Sequence, residues 1–333
     1  PWNIHEGNET FGPGHRKSIP LEEKMKKYAE IGLAGMQFHD DDAVPDMNNM
    51  TEKQIVDYAK DVKAMLDKYG LFAEFVAPRL WFDKRTNDGG FTASKKEDRE
   101  FAQWRARRSC DIAKALGTKK IQLWLAREGT LCAEGKNPVE MTLQLRDAFN
   151  DILTYRDDAL ILVEPKPNEP IDRSICGTAG HALAVGAYTV DPSRVGLCIE
   201  SAHSILAGLD PANDMGFALA LWGVHLNDQN GCRYDQDKAF GVDNLRNAFN
   251  QVKVLYENNF GDRGNFECVG LDVKAMRTQP DEYCYRHLIN SKKIFEKLLD
   301  KVKRFDYEFQ AACVKEQNFE KLEMYVMDLL MGD

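Results

Sequence analysis

The chain has 333 residues, of which 43% are hydrophobic, 10% aromatic and 29% charged, an ordinary globular composition long enough for one large core or two smaller ones. Its 44 Lys and Arg against 53 Asp and Glu leave a formal charge of −9, which excludes a general nucleic-acid binder built on a basic face. No apolar run reaches the roughly 18 residues of a membrane-spanning helix, no secretory or Arg-rich transit pattern opens the chain, and the eight cysteines contain no CxxC pair, so they read as reduced thiols in a cytoplasmic protein.

The chain starts at Pro1 without a methionine, which implies residues upstream, and a shortened first strand is expected around Trp2–Ile4. Strand-length apolar runs then follow at 33–38, 71–77, 119–125, 159–164, 195–199, 220–226 and 266–271. Between them lie amphipathic stretches with helical spacing, among them 51–69, 95–116, 140–156 and 242–258. Strands joined by helices predict a parallel sheet with right-handed crossovers. Eight such units fit an α/β fold of the (β/α)8 TIM barrel type, and no GxGxxG follows a strand to support a dinucleotide-binding sheet. The residues after about Glu282 read as helices. We expect a catalytic barrel over 1–303 and a short C-terminal helical extension over 304–333.

In a parallel barrel, functional side chains gather at the C-terminal ends of the strands. The polar residues follow that rule. The 33–38 strand runs into His39-Asp40-Asp41-Asp42, and the 159–164 strand ends in Glu164-Pro165-Lys166. Glu200 and His203 follow the next strand, and then come His225, Asp235 and Asp237, with Asp272 at the last exit. Each piece alone has a structural reading: Asp-x-Asp as a loop or helix cap, His39 as a satisfied structural histidine, Glu200 and His203 as a helix start. Five successive exits bearing ionisable groups point instead to one shared site. Converging carboxylates repel one another, and divalent metal relieves that repulsion. Glu164, Glu200, His203, His225, Asp235, Asp237 and Asp272 offer enough ligands for two metals sharing one carboxylate.

At these residues the sequence resembles the xylose isomerase family. VEPKPNEP at 163–170 matches that family's signature closely, and FHDDDAVP at 38–45 resembles its histidine motif. NDGGFTAS at 87–94, LWLAREG at 123–129, RYDQDKAFG at 233–241 and LDVKAMRT at 271–278 resemble its other strand exits. The resemblance implies that Glu164, Glu200 and Asp272 hold one metal, and that Glu200, His203, Asp235 and Asp237 hold the second. It implies that Lys166 bonds the substrate's terminal oxygen, and that His39, oriented by Asp42, opens the sugar ring. Trp124 matches an aromatic wall of the sugar pocket, and Phe11 matches a residue inserted into a neighbouring subunit. Lys274 and Glu169 fall on positions flanking the ligands, Lys274 being counted with the substrate-binding residues. Trp81 stands where the family has phenylalanine, and it also has a reading as ordinary core.

His225 departs from the family pattern. It lies ten residues before Asp235, where the family carries an aspartate ligand, and a histidine there resembles the related L-rhamnose isomerases. The resemblance implies a metal-dependent aldose–ketose isomerase that uses two divalent ions (Mn2+, Co2+ or Mg2+) and a metal-assisted hydride shift on a free sugar. The partner is a small-molecule sugar, with no nucleic acid or membrane, and the assembly a homodimer or homotetramer. The alternatives are a sugar epimerase working by proton transfer on the same fold, and a non-catalytic metal-stabilised sugar-binding protein.

Overall fold

The computed structural model describes residues 1–2, 4–9, 12–217, 221–264 and 267–332. Its strands are β1 (Gly35–His39), β2 (Phe72–Ala77), β3 (Lys120–Trp124), β4 (Gly129–Thr130), β5 (Leu160–Glu164), β6 (Arg173–Ser174), β7 (Val195–Glu200), β8 (Leu221–His225) and β9 (Cys268–Gly270). Seven of them form one parallel sheet in the order β1-β2-β3-β5-β7-β8-β9, while β4 and β6 make a small antiparallel pair. Helices fill the crossovers, as parallel pairing requires. The sheet curls into a nearly closed α/β barrel, with β1 and β9 at its two free edges.

Local signals explain the helices. Thr51 and Gln54 form a reciprocal capping box that starts the helix Glu52–Lys68, whose Ile55, Ala59, Val62 and Leu66 repeat on one buried face. Asn137 caps the helix Pro138–Tyr155, with proline at its first position. Helix Lys96–Leu116 ends at Gly117, whose φ of 84° suits glycine. Strand β7 is buried along its whole length, the pattern of a parallel strand covered on both faces.

The expected strand at Trp2–Ile4 is a correction: Trp2 lies in a turn and Ile4 in a bend, with Asn3 outside the described residues. Side chains rather than a ladder hold this segment. The Glu6 carboxylate accepts from the His5 N–H at 3.1 Å and the Ser18 hydroxyl at 2.6 Å, and it pairs with buried Lys24. Lys24 Nζ also donates to the Pro1 carbonyl at 3.0 Å. Ile4 packs on Val273 and Leu288, beside the open edge.

Two buried carboxylates fix the strand exits in place. Asp40, fully buried after β1, takes a two-pronged contact from Arg105 at 2.7 Å and 2.7 Å, tying that exit to helix Lys96–Leu116. Glu128, just past β3, accepts the backbone N–H groups of Gly90, Phe91 and Thr92 at 2.9 Å each and the Thr92 hydroxyl at 2.6 Å. The C-terminal helices are Arg286–Lys303, Tyr307–Glu316 and Phe319–Met331, and they join the main core through Val302, Phe305 and Val326. Among the described residues no helix is long and apolar enough to cross a membrane.

His287, in the first of these helices, is buried, and its Nε2 has no hydrogen bond. Burial pushes its imidazole down to about 4, against about 6.5 when unfolded. Between those values the unfolded chain binds a proton that the folded chain refuses, so stability falls as pH drops from about 6.5 toward about 4. Urea denaturation across that window should show wild type losing up to about 3 kcal/mol more than His287→Gln; equal pH slopes would refute the assignment.

Candidate metal centre

Strand register brings the polar ends together. Trp124 pairs with Glu164 across β3 and β5, and Glu200 pairs with His225 across β7 and β8. His203 sits one turn into the short helix Ser201–Leu206 that begins directly after Glu200, so both side chains share a face. Asp235 and Asp237 come from the loop after β8, and Asp272 follows β9.

Two donor groups result. In the first, His225 Nδ1 lies 3.5 Å from Glu164 Oε2, 3.7 Å from Glu200 Oε2 and 3.7 Å from Asp272 Oδ2. In the second, His203 Nε2 lies 3.3 Å from both Glu200 Oε1 and Asp235 Oδ2. Donor atoms within each group all lie within 4.8 Å of one another, and Glu200 belongs to both. Six of the seven residues expected as ligands therefore converge. Asp237 stands outside both groups, its Oδ2 3.3 Å from Lys274 Nζ. Lys274 also donates to the Asp235 carbonyl at 3.1 Å, which places it as a brace of this loop. Asp228, three residues past His225, shapes the loop after β8: it accepts the backbone N–H groups of Gln229, Asp243 and Asn244 at 2.9, 2.8 and 3.0 Å.

The donor set fits divalent metal. Both ring nitrogens of His225, Nδ1 of His203 and Oδ1 of Asp235 are buried without a hydrogen bond, a costly condition unless another group satisfies them. Burial, reinforced by neighbouring carboxylates, pushes Glu200, Asp237 and Asp272 above the usual carboxylate range. Burial alone would lower His203 and His225; Glu200 beside the first, and Cys198 and Glu164 beside the second, raise them instead. A cation among these donors would reverse that balance, favouring ionised carboxylates and neutral imidazoles.

Lys166 is buried, with Nζ 2.7 Å from Asp235 Oδ2 and 5.0 Å from the Trp124 ring centre. Burial opposes its charge, but Asp235 holds the ammonium above its ordinary value. Despite burial, Lys166 and His203 together hold Asp235 below the usual carboxylate range. At the β1 exit, His39 Nδ1 lies 2.9 Å from Asp42 Oδ2. Trp81 meets His39 edge-on at 5.2 Å and Trp124 at 4.5 Å between ring centres. A cavity of about 1270 Å³ opens here, lined by His39, Trp81, Trp124, Lys166, Asp272 and Lys274 among others. Phe11 lies outside the described residues.

Three contributors escaped the sequence reading. Arg79 bonds Asp42 at 2.9 Å and Asp41 at 2.7 Å, and its Nη2 is 2.7 Å from His39 Nδ1. That nitrogen cannot donate to Asp42 and accept from Arg79 at once, so the pair selects its tautomer. Arg79 sits two residues beyond β2, and the rule that exposed its neighbours at strand exits could have found it. Gln122 donates to Glu164, and Asn227 donates to Glu200 Oε1 at 2.9 Å and to the Asp272 carbonyl at 3.0 Å. Neutral amides carry no charge signature in a sequence, and only strand register reveals them.

A family model described as xylose isomerase-like TIM barrel matches residues 25–260. Among solved structures, a D-tagatose 3-epimerase-like protein is similar with a TM-score of 0.65 at 16% identity, over 85% of this chain and 95% of that one. A 3-keto-D-glucoside 4-epimerase from E. coli matches with a TM-score of 0.61 at 16% identity, over 87% of this chain and 97% of its own. A xylose isomerase domain protein from Alicyclobacillus acidocaldarius subsp. acidocaldarius matches with a TM-score of 0.58 at 15% identity, over 87% and 96%. At such identities the likeness is one of fold. The family model covers well over half of the chain, and the protein belongs to the xylose isomerase-like TIM barrel family.

Proposed function

We propose that this protein is a metal-dependent enzyme that interconverts a free aldose and its 2-ketose. One observation carries the reading: a second donor group, Glu200, His203 and Asp235, is fused to the first through Glu200, with buried Lys166 beside it. An epimerase working by proton transfer needs opposed bases over one metal, and the group Glu164, Glu200, His225 and Asp272 would suffice for that metal. That second reading draws support from two similar structures named as epimerases. It leaves the other donors and Lys166 without a task.

Glu164, Glu200, His225 and Asp272 would hold one divalent ion, and Glu200, His203 and Asp235, with Asp237 by a shift of its loop, the other. Mn2+, Co2+ or Mg2+ bound there supplies Lewis acidity toward sugar oxygens. His39 Nδ1 is engaged by Asp42 and Arg79, which leaves Nε2 to exchange a proton with the ring oxygen of a cyclic sugar. Lys166 Nζ, a fixed point charge, stabilises negative charge developing on oxygen 1. Hydrogen then moves from carbon 2 to carbon 1 as hydride, while the carbon 2 hydroxyl gives up its proton and oxygen 1 gains one. Trp81 and Trp124 present apolar faces to the sugar and exclude water. The reading extends to self-association, supported by exposed Phe319, Met324 and Met331 on the last helix.

A panel of free aldoses and ketoses, assayed with each metal on the stripped protein, tests the activity. Turnover in deuterium oxide should leave solvent deuterium out of carbons 1 and 2; its incorporation would replace the hydride shift by proton transfer through an enediolate, and epimers as the sole products of the panel would establish the epimerase reading. Lys166→Ala should keep Mn2+ binding by calorimetry yet lose kcat by about 10²–10³, the scale of removing one positioned charge-stabilising donor; full activity in this variant removes Lys166 from the chemistry. His225→Asp replaces an imidazole by a hard oxygen donor and should raise the ratio of Mg2+ to Mn2+ activity. An unchanged ratio would mean that His225 does not set metal preference.

A further inference from the structure

Directly beneath the carboxylates the barrel interior closes tightly around two glycines. Gly223 and Gly270 carry no side chain into it: a Cβ at Gly223 would lie 3.3 Å from Cys198 Sγ, and one at Gly270 would lie 3.0 Å from His225 Cδ2. Cys198 is on β7 two residues before Glu200, so strand alternation turns both toward the same face. Its register partner on β8 is Gly223.

The Cys198 thiol is 1% exposed, and its Sγ, a ring nitrogen of His225 and a carboxylate oxygen of Glu164 lie within 4.8 Å of one another. This trio differs in kind from the oxygen-rich group above it. His225, 3% exposed, has both ring nitrogens without a hydrogen bond, and its Nδ1 faces the carboxylates of Glu164, Glu200 and Asp272. The large cavity passes Gln122, Glu164 and His225, which supplies an entry path from the barrel mouth. A thiolate, an imidazole and a carboxylate make a ligand set for borderline and soft cations, whereas Mg2+ and Mn2+ favour oxygen.

We propose that Glu164, His225 and Cys198 form a soft-metal position beneath the oxygen-rich group, one that takes Zn2+ or Cd2+ with sulfur ligation. As the ion binds, the thiol proton leaves to solvent and a sulfur–metal bond replaces the S–H bond, with no change of oxidation state. Glu164 and His225 belong to both positions, so an ion held by Cys198 withdraws two donors from the upper group. Zn2+ and Cd2+ therefore compete with the ion of that upper group rather than add to it, while the position of Glu200, His203 and Asp235 shares no donor with them. The inference rests on reading the site as a metal centre and is independent of whether the enzyme isomerises or epimerises.

The test titrates metal-stripped protein with Cd2+ and follows the ultraviolet thiolate-to-Cd2+ charge-transfer absorbance. Exposed Cys132 and Cys232 are replaced by serine throughout to silence surface thiols. Cys198→Ala in that background is compared with its parent, and Mn2+ affinity is measured in both by electron paramagnetic resonance. We expect one equivalent of the absorbance to vanish in the variant, Cd2+ affinity to fall by at least about tenfold, and Mn2+ affinity to stay within about threefold. Bound Cd2+ should also lower Mn2+ uptake by the parent by one equivalent, leaving the position of Glu200, His203 and Asp235 able to fill. A Cys198-independent absorbance, or a Mn2+ stoichiometry that bound Cd2+ leaves unchanged, overturns the inference alone. A parent that binds no Mn2+ overturns the metal-centre reading itself. Should alanine unfold the barrel, Cys198→Ser keeps the volume and gives the same readouts.

Discussion

Like charges gathered in a dry place dominate this molecule. A parallel barrel sends every strand end to one mouth, and here those ends carry Glu164, Glu200 and Asp272, with Asp235 and Asp237 folded over them from a loop. Carboxylates so arranged cannot all ionise without compensation. Much of the surrounding polar structure answers that demand: Lys166 against Asp235, Lys274 against Asp237, and His203 and His225 between the carboxylates. Amide donors from Gln122 and Asn227 hold individual carboxylate oxygens in place. The chain's negative balance is thus partly concentrated where cations would be drawn, rather than spread evenly over the surface.

The scaffold that holds this charge is itself polar at key points. Asp40 with Arg105 and Glu128 with three backbone N–H groups sit under the loops that frame the mouth. Buried pairs of this kind contribute less net stability than apolar packing but strongly penalise any arrangement that separates them. They keep His39 and the aromatic wall in register with the carboxylates across the barrel.

Much of this was legible in the sequence because strand ends announce themselves. The apolar runs end where β1, β2, β3, β5, β7 and β8 end to within a few residues, and the ionisable groups follow at once. Charge in a fixed position relative to a strand is a strong signal. Three kinds of information were not carried that way. Gln122 and Asn227 act through neutral amides, whose importance depends on what lies across the sheet. Arg79 looked like one basic residue among 44 until the fold placed it on both Asp42 and His39. Trp2–Ile4 has strand-like composition, but Glu6 holds the His5 N–H and Lys24 the Pro1 carbonyl on either side of it, and Trp2 and Ile4 lie in a turn and a bend. Asp237 shows the remaining limit: two aspartates two residues apart in a loop point where the loop turns them, and Asp237, at φ 43°, faces Lys274.

Glu200 deserves its place at the centre of both donor groups for a thermodynamic reason. A single carboxylate that serves two positions makes them one binding unit. A cation in the first position would fix the orientation of Glu200 for the second, yet would draw on the same negative charge. Ordering and charge depletion oppose each other, and their balance sets the sign of the coupling. Whatever that sign, reciprocity requires each position to alter the other's affinity by the same factor. If both halves of the proposed centre take cations, they would therefore fill and empty as linked equilibria, and the metal content would respond to free cation concentration as a joint property of the pair.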